Sequence, residues 1–242
     1  MISKFRVIPT FLLSERGFVK TEKFENSIYL GDPINLIRIF NDKFVDEICI
    51  LNISKKTNDI NFSYLKDIFS ECFLPLSYGG KIKNIQDVRT IFKIGVDKII
   101  FSTNLFKNKK LVKDAVSEVG SQGVTGCINI AQIKDEYSIY LPETSEKICF
   151  NNVIEKIQEV EGFGLGELII NFVSRDGMRV GYDYNFIDKI SKKIDIPIVA
   201  LGGASSKEDF NKVVKAGANA AAASSIFVFM GNRKGVIPSY KK

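Results

Sequence analysis

The sequence contains no histidine and no tryptophan among its 242 residues. Without histidine the chain cannot use an imidazole as a general base, build a triad around histidine, or form most zinc sites. We therefore expect no metal site, and we expect no cofactor. Four cysteines, Cys49, Cys72, Cys127 and Cys149, show neither metal-ligand nor CxxC spacing. Each lies in or beside an apolar stretch, which favours buried free thiols in a reducing compartment over disulfides.

Long apolar runs and concentrated charge are also missing. No run approaches the ~18 residues of a membrane-spanning helix, and residues 1–13 lack the apolar core and cleavage site of a signal peptide. The 34 basic and 28 acidic residues are scattered rather than gathered in a basic stripe. We expect a cytoplasmic protein with no nucleic-acid partner and no membrane partner. The net charge of +6 would help to attract anionic, phosphorylated ligands.

What the sequence has is a regular alternation of short apolar runs with amphipathic stretches. The apolar runs are residues 5–11, 47–53, 73–77, 98–102, 124–130, 167–173, 198–201 and 220–224. Continuous apolar runs are typical of parallel strands buried on both faces. Residues 84–94 and 207–216 have helical spacing between such runs. About eight strand–helix units in this length predict an α/β fold, a single (β/α)8 TIM barrel domain spanning residues 1–242.

An internal repeat supports this fold. With an offset of 122 residues and no gap, matching positions are Pro75 and Pro197, Gly80 and Gly202, Asp87 and Asp209, Gly95 and Gly217, and Ser102 and Ser224. The repeat predicts two similar half-barrels. Residues 14–30 have no clear element character, and we interpret them as a long loop on the face where barrel enzymes place their active sites.

Each half offers glycines and hydroxyls at the ends of two neighbouring strands, where a phosphate could be held. The first cradle consists of Gly79, Gly80, Ser102 and Thr103, and the second cradle of Gly202, Gly203, Ser224 and Ser225. Any one pair would more often be a tight turn or a helix cap. Both pairs at symmetric places favour phosphate binding. Asp176 and Gly177 follow the sixth apolar run, where they form either a tight turn or part of the functional site. Lys20 either contacts a phosphate or faces water.

The chain resembles the cyclase subunit of imidazole glycerol phosphate synthase over essentially its whole length. The motifs are Arg6-Val7-Ile8-Pro9, Val19-Lys20, Phe24-Glu25-Asn26, Gly31-Asp32-Pro33, Arg175-Asp176-Gly177, Gly181-Tyr182-Asp183, Gly202-Gly203-Ala204 and Ser225-Ile226-Phe227. The resemblance implies a barrel whose base docks onto a glutaminase subunit as a heterodimer. Ammonia would pass through the barrel to a bis-phosphorylated substrate at the top, where two aspartates act as general acid and base.

This sequence departs from that pattern at both aspartates. The matching positions are Leu12 and Asn129. Leucine transfers no proton and asparagine does not titrate near neutral pH, and loss of one such group costs roughly 10²–10⁴ in rate. Asp176 is the candidate replacement. The sequence also departs from the family pattern in the first cradle, where Lys81 stands at the position of the family's third glycine.

The resemblance also implies a ring of charges at the barrel base that gates ammonia. Its members match Arg6, Glu47, Lys98 and Glu167, at the starts of the first, second, fourth and sixth strands. Any single member could be an ordinary rim salt bridge. Four retained charges, with both acids replaced, suggest that ammonia conduction persists without cyclisation.

Three functions therefore stay open, and whether the chain is itself an enzyme stays open with them. The leading hypothesis is a divergent cyclase-family (lyase) subunit that accepts ammonia from a glutaminase and binds a phosphorylated small molecule. Its acceptor would differ, as in relatives that serve amidino-sugar synthesis on surface polysaccharides. The second is the histidine-biosynthesis cyclase itself, and the third is a non-enzymatic scaffold that activates the glutaminase. The related isomerase fits less well, since it also needs acid–base aspartates.

Overall fold

The structure, a computed structural model, describes residues 5–15, 17–43, 45–133, 136–149, 152–230 and 235–239. Its strands are β1 (Arg6–Ser14), β2 (Gly17–Glu22), β3 (Glu25–Gly31), β4 (Ile48–Asn52), β5 (Leu76–Gly79), β6 (Lys98–Phe101), β7 (Val124–Ile133), β8 (Glu136–Leu141), β9 (Glu146–Ile148), β10 (Glu167–Phe172), β11 (Ile198–Leu201), β12 (Ala220–Ala223), β13 (Phe229–Met230) and β14 (Gly235–Val236). Its helices are α1 (Pro33–Asn41), α2 (Phe62–Ser70), α3 (Ile85–Lys93), α4 (Asn104–Lys107), α5 (Lys109–Val119), α6 (Val153–Glu161), α7 (Tyr184–Ser191), α8 (Lys207–Lys215) and α9 (Ser225–Val228). That residues 1–242 form a single domain stays a prediction, because both chain ends lie outside the described residues.

Eight of these strands close into a parallel barrel. The order around the barrel is β1, β4, β5, β6, β7, β10, β11 and β12. The barrel closes because β12 pairs in parallel with β1, with Ala220 opposite Arg6. Parallel neighbours need a crossover connection, and the helices supply it. The predicted (β/α)8 barrel is therefore confirmed.

Two layers of apolar side chains explain why the strand sequences are continuously apolar. Alternate residues of each strand point to opposite faces. One set forms a small cluster inside the barrel, made of Ile8, Cys49, Ile100, Cys127, Ile169, Val199, Leu201, Ala220 and Ala222. The other set packs outward against the helices in a larger cluster that includes Phe11, Ile48 and Phe40. Each strand is thus buried on both sides, as the sequence predicted.

The repeated aspartates fix the starts of two equivalent helices. Asp87 accepts a hydrogen bond from the Lys83 backbone N–H at 2.8 Å, just before α3. Asp209, its partner in the repeat, accepts from the Ser205 backbone N–H at 2.8 Å, just before α8. Carboxylates at such positions satisfy free backbone donors at a helix start. Within the described residues, no helix is long and apolar enough to cross a membrane.

The interpretation of residues 14–30 as a loop was wrong. β2 and β3 form an antiparallel hairpin there, with Lys20 opposite Ile28, and Val19 of β2 pairs with Leu12 at the end of β1. A second hairpin, β8 and β9, extends from the end of β7, where Asn129 lies opposite Tyr140. Both hairpins follow the carboxyl ends of barrel strands, so both stand on the face that carries the cradles.

Candidate functional site

Four charged side chains meet inside the barrel where the strands begin, and we call them the base ring: Arg6, Glu47, Lys98 and Glu167. Arg6 donates to Glu47 Oε2 at 2.8 Å and to Glu167 Oε2 at 2.6 Å. Lys98 Nζ donates to Glu47 Oε2 and to Glu167 Oε1, each at 2.9 Å. Each cation contacts both carboxylates, so none of the four charges is unpaired. The structure thus brings together the four charged residues that the sequence singled out.

Within the base ring, neighbouring charges shift the pKa values of Glu167 and Arg6 more than burial does. Burial alone would raise the pKa of Glu167, but Lys98 and Arg6 together lower it below its ordinary value. Burial would lower the pKa of Arg6, but Glu167 and Glu47 raise it. Thr125 adds a hydrogen bond from its hydroxyl to Glu167 Oε1 at 3.3 Å. Thr125 was not predictable as a site residue, because a lone threonine in an apolar strand carries no signal of its own.

Apolar side chains and two thiols line the barrel above the base ring. Ile8, Cys49, Ile100 and Ile169 lie two residues beyond the four charges on the same strands, and they belong to the inner cluster. Burial raises the pKa of the Cys127 thiol to about 12 and raises that of Cys49 as well. The thiols in this stretch are therefore neutral at physiological pH.

The cysteines are all free, as the sequence predicted, but they are not all buried. Cys49 and Cys127 are buried and Cys72 is half-buried. Cys149, just beyond β9, is exposed. Ile148, the apolar residue before it, belongs to the hairpin strand β9 outside the barrel wall, which explains the difference.

The two substituted acid–base positions lie at the top of the barrel. Leu12 is half-buried and pairs with Leu51 of the next barrel strand. Asn129 is only 3% exposed. It donates from Nδ2 to Ser102 Oγ at 2.9 Å and accepts at Oδ1 from Asn171 Nδ2 at 3.0 Å. Carboxyl groups at these two positions would donate and accept protons. Leu12 cannot do so, and neither can the Asn129 amide, which is held by hydrogen bonds to Ser102 and Asn171.

Asn171 is a residue of this site that the sequence analysis missed. Its Oδ1 is buried and has no hydrogen-bond partner among the described residues. A buried acceptor in that state is costly, so it marks a place where a ligand donor would bind favourably. A signal was present, because Asn171 lies four residues after Glu167 and alternate residues of a strand share a face.

The second cradle opens onto a cleft lined by residues of several strand ends. Gly203 has a φ of +112°, and a Cβ there would lie 2.1 Å from the Gly181 carbonyl oxygen, so only glycine fits. The neighbouring Gly202 has a φ of +94°. Ser224 and Ser225 have buried hydroxyl oxygens with no hydrogen-bond partner in the described part of the chain. Open backbone next to two unpartnered hydroxyls suits an anion.

Two cations also line this cleft. Lys20 is 3% exposed, and its Nζ lies 2.6 Å from Asp176 Oδ1. Thr21 donates to Asp176 Oδ2 at 3.2 Å, so the β2–β3 hairpin is bonded to the loop after β10. Of the two interpretations of Lys20, the structure excludes the one in which the side chain faces water, because it is buried. Contact with a phosphate stays a prediction. Gly177 permits this approach, since a Cβ there would lie 2.5 Å from the Thr21 carbonyl oxygen. Arg179, which the sequence analysis did not single out, is the second cation.

The first cradle differs from the second at its third position. Gly80 has a φ of +102°, and a Cβ there would lie 2.3 Å from the Asn52 carbonyl oxygen. Lys81 follows with a φ of +64°, an uncommon conformation for a residue with a side chain. Its ammonium donates to the Thr57 carbonyl oxygen in the loop after β4. Thr103 keeps a buried hydroxyl without a partner among the residues described.

The fold and the two equivalent cradles define a class of protein, the (β/α)8 barrels built from two similar half-barrels. The sequence matches the histidine biosynthesis protein family over residues 6–232, and the chain belongs to this family. Within it, the chain is a divergent member of the imidazole glycerol phosphate synthase cyclase-subunit group.

Individual relatives match nearly the whole chain. A Pseudomonas aeruginosa protein is 36% identical over 239 residues, which covers 97% of this chain and 95% of the relative. A Leptospira borgpetersenii protein is 38% identical over 240 residues, covering 97% and 94%. Both carry provisional names as imidazole glycerol phosphate synthase subunits. The subunit HisF of that synthase from Thermococcus onnurineus is 36% identical over 229 residues, covering 94% and 90%.

Proposed function

We propose that this chain is the ammonia-accepting subunit of a glutamine amidotransferase pair and that it binds a phosphorylated ligand without the histidine-pathway cyclisation. The contrast between the two ends of the barrel carries the proposal. At the base, the four charges of the base ring pair completely. At the top, Leu12 and Asn129 occupy the positions where the family resemblance implies an acid and a base.

The barrel interior suits the passage of neutral ammonia. Between the base ring and Asn129 the lining consists of the apolar side chains and protonated thiols of the inner cluster. Neutral ammonia enters such a lining at much lower desolvation cost than ammonium does. The unpartnered Asn171 Oδ1 could accept a hydrogen bond from ammonia arriving at the top. Among the described residues, Lys98 forms ion pairs with Glu47 and Glu167, and its displacement would open the ring.

Docking of a glutaminase at the base is supported by an exposed aromatic residue. Phe73 is 81% exposed and lies in the loop that leads into β5, at the same end of the barrel as the base ring. Exposed aromatic side chains are frequent anchors of protein–protein interfaces. A glutaminase bound here would release ammonia next to the ring.

Asp176 does not replace the missing acids in this proposal. Its carboxylate already accepts hydrogen bonds from Lys20 at 2.6 Å and from Thr21 at 3.2 Å. Taking a proton from a substrate would disrupt that buried ion pair. Its place beside the second cradle instead suits positioning of Lys20 for a phosphate.

The acceptor of the ammonia would then be a molecule other than the histidine-pathway intermediate. The family resemblance implied one such role, the addition of amidino groups to sugars of surface polysaccharides. A chain that passes ammonia upward but lacks cyclising acids fits a role of this kind.

Glutamine turnover by the glutaminase subunit of the same organism tests this proposal. We expect that subunit to form a complex with the chain and to hydrolyse glutamine faster in its presence. Lys98→Met should change that rate, because it removes one cation of the base ring. Lys83→Met is the matched control, since Lys83 pairs with Asp59 on the surface. Equal turnover with and without the chain would contradict the proposal.

The histidine-biosynthesis cyclase is the second candidate, and the names of the relatives favour it. It requires another group to transfer the protons that Leu12 and Asn129 cannot. Conversion of the bis-phosphorylated cyclase substrate with excess ammonium salt would establish it, with no glutaminase present.

A further inference from the structure

The Asn171 side chain carries a buried carbonyl oxygen that has no hydrogen-bond partner among the described residues. Asn171 is 5% exposed and lies on β10, four residues after Glu167 of the base ring. Four residues of a strand span about 13 Å. Because alternate residues of a strand share a face, the Asn171 side chain lies on the inner face with Ile169 and Glu167. The free oxygen therefore lies above the base ring on the same strand.

A chain of hydrogen bonds across neighbouring strands fixes the orientation of Asn171. Asn129 donates from Nδ2 to Ser102 Oγ at 2.9 Å, and Asn171 donates from Nδ2 to Asn129 Oδ1 at 3.0 Å. The Cys127 thiol donates to the same Asn129 oxygen, with Sγ 3.9 Å from it. Each amide nitrogen thus points towards Ser102, and the free end of the chain is a carbonyl oxygen. A molecule that binds there must donate a hydrogen bond.

The free oxygen lies where the barrel interior meets the cleft at the second cradle. A Cβ on Gly202 would lie 3.0 Å from Asn171 Oδ1. Gly202 and the preceding Leu201 line the cleft, and Leu201 also belongs to the inner cluster. Because residue 202 has no side chain, the space next to the oxygen stays open. A small molecule that leaves the interior for the cleft would pass this oxygen.

A single neutral acceptor in such a lining selects a neutral donor. On the paired strands, Ile169 and Cys127 lie opposite each other, two residues before the two asparagines. Burial raises the pKa of the Cys127 thiol to about 12, so neither side chain supplies a charge. Ammonium would bind poorly, because one uncharged oxygen does not offset the desolvation of an ion. Ammonia can donate one N–H to the oxygen and keep its lone pair free.

We propose that Asn171 binds neutral ammonia at the top of this barrel, through its side-chain carbonyl oxygen, in the orientation that Asn129 and Ser102 fix. The inference rests on the proposed ammonia-accepting function and specifies the residue that holds the ammonia. It gives the two asparagines a role that requires no proton transfer. Selection of the neutral molecule is its measurable consequence.

Carbon-13 NMR of the purified chain, labelled at the asparagine side-chain carbonyl carbons, measures this binding. The probe is ammonium chloride, titrated at pH 7 and at pH 8, with potassium chloride at equal ionic strength as the salt control. We expect the Asn171 resonance to shift saturably with ammonium chloride alone. The neutral fraction rises about tenfold per pH unit in this range, so the apparent Kd in total ammonium should fall about tenfold from pH 7 to pH 8.

The protein groups around Asn171 do not titrate over this pH range. The titratable side chains on β7, β10 and β11 are Cys127 and Glu167. The pKa of Cys127 is raised to about 12 by burial, and the pKa of Glu167 is lowered by Lys98 and Arg6 against the effect of burial. A tenfold change in apparent Kd would therefore come from the ammonia.

Asn52 is a matched control in the same spectrum. It lies at the end of β4, but its Nδ2 donates to the Tyr78 hydroxyl at 3.0 Å and its Oδ1 accepts from the Ser54 N–H at 3.1 Å. Because its carbonyl oxygen is already bonded, its resonance should not shift. Asn171→Ser and Asn52→Ser each remove one resonance and so assign the two signals, while the titration itself uses the unaltered chain.

Two results would overturn the inference. Absence of a saturable shift would mean that the Asn171 oxygen does not bind ammonia, and equal apparent Kd values at both pH values would mean that ammonium binds instead. Glutamine turnover separates this inference from the proposed function. If turnover depends on the chain but Asn171 does not respond, the inference alone fails. If Asn171 responds as expected but turnover is independent of the chain, the proposed function fails and the ammonia site stands.

Discussion

Removing the Lys98 ammonium is the perturbation that reports most directly on the base ring. Lys98→Met keeps an unbranched side chain of similar length but leaves Glu47 and Glu167 with Arg6 as their shared cation. Loss of one partner from a fully buried pair costs about 3–5 kcal/mol. The Lys98 side chain is 21% exposed and Arg6 remains, so we expect the free energy of unfolding to fall by about 2 kcal/mol at pH 7.

The pH dependence of this loss identifies its cause. Lys98 and Arg6 hold the pKa of Glu167 below its ordinary value against the effect of burial. The stabilisation from Glu167 is therefore complete above its unfolded pKa of about 4.3 and is lost as the pH falls through its lower folded value. In Lys98→Met that pKa rises, so the variant loses this contribution at a higher pH than the wild type. The difference between the two proteins should shrink below pH ~4.

Urea denaturation followed by far-ultraviolet circular dichroism at pH 7 and pH 4 measures both effects. Lys83→Met is the control, because the Lys83–Asp59 pair at 2.8 Å is exposed and solvent-screened. We expect the control to denature at nearly the same urea concentration as the wild type. If Lys98→Met resembles Lys83→Met at pH 7, the base ring does not stabilise the barrel as its geometry implies.

Three further predictions concern buried groups. Lys20→Met should lower stability by about 3 kcal/mol in thermal denaturation by leaving Asp176 without its cation, and adding Asp176→Asn should restore part of the loss; an unchanged midpoint would contradict the ion pair's role. Asn129→Asp should destabilise the chain by about 1–3 kcal/mol at pH 7 in urea, because burial raises the carboxyl pKa, and the loss should vanish below pH ~4 as the group is protonated. A thiol reagent at pH 8 should modify the exposed Cys149 in the native protein but reach Cys127 only after unfolding; rapid native labelling of Cys127 would show that the interior is open.

The barrel strands were predictable because their apolar runs reflect burial on both faces. The run at residues 198–201 coincides with β11, and the run at residues 98–102 differs from β6 by one residue. The hairpin strand β3 gave no such signal, since most of its residues are exposed and, in the described part of the chain, its one strand partner is β2. Its sequence therefore looks like that of a loop.

The candidate site was predictable where it rests on the repeat, and not where it rests on long-range contacts. One glycine and two hydroxyl residues of each cradle recur at one offset: Gly80, Ser102 and Thr103 match Gly202, Ser224 and Ser225. The contact of Lys20 with Asp176 joins residues 156 positions apart, and the amide pair of Asn129 and Asn171 joins residues 42 apart. Composition and spacing cannot reveal which partners such side chains find. The bond between Lys81 and Thr57, which makes the cradles unequal, was likewise beyond the sequence.

The measurement that tests the central claim most directly is cyclisation by the purified chain, supplied with the bis-phosphorylated cyclase substrate and excess ammonium salt. Ammonium bypasses any glutaminase, so the assay reports only on chemistry at the top of the barrel. We predict product formation at least ~10² slower than by a family member with both aspartates, because Leu12 and Asn129 transfer no protons. Turnover at the rate of such a member would contradict the account and make this chain a histidine-pathway cyclase with different acid–base residues.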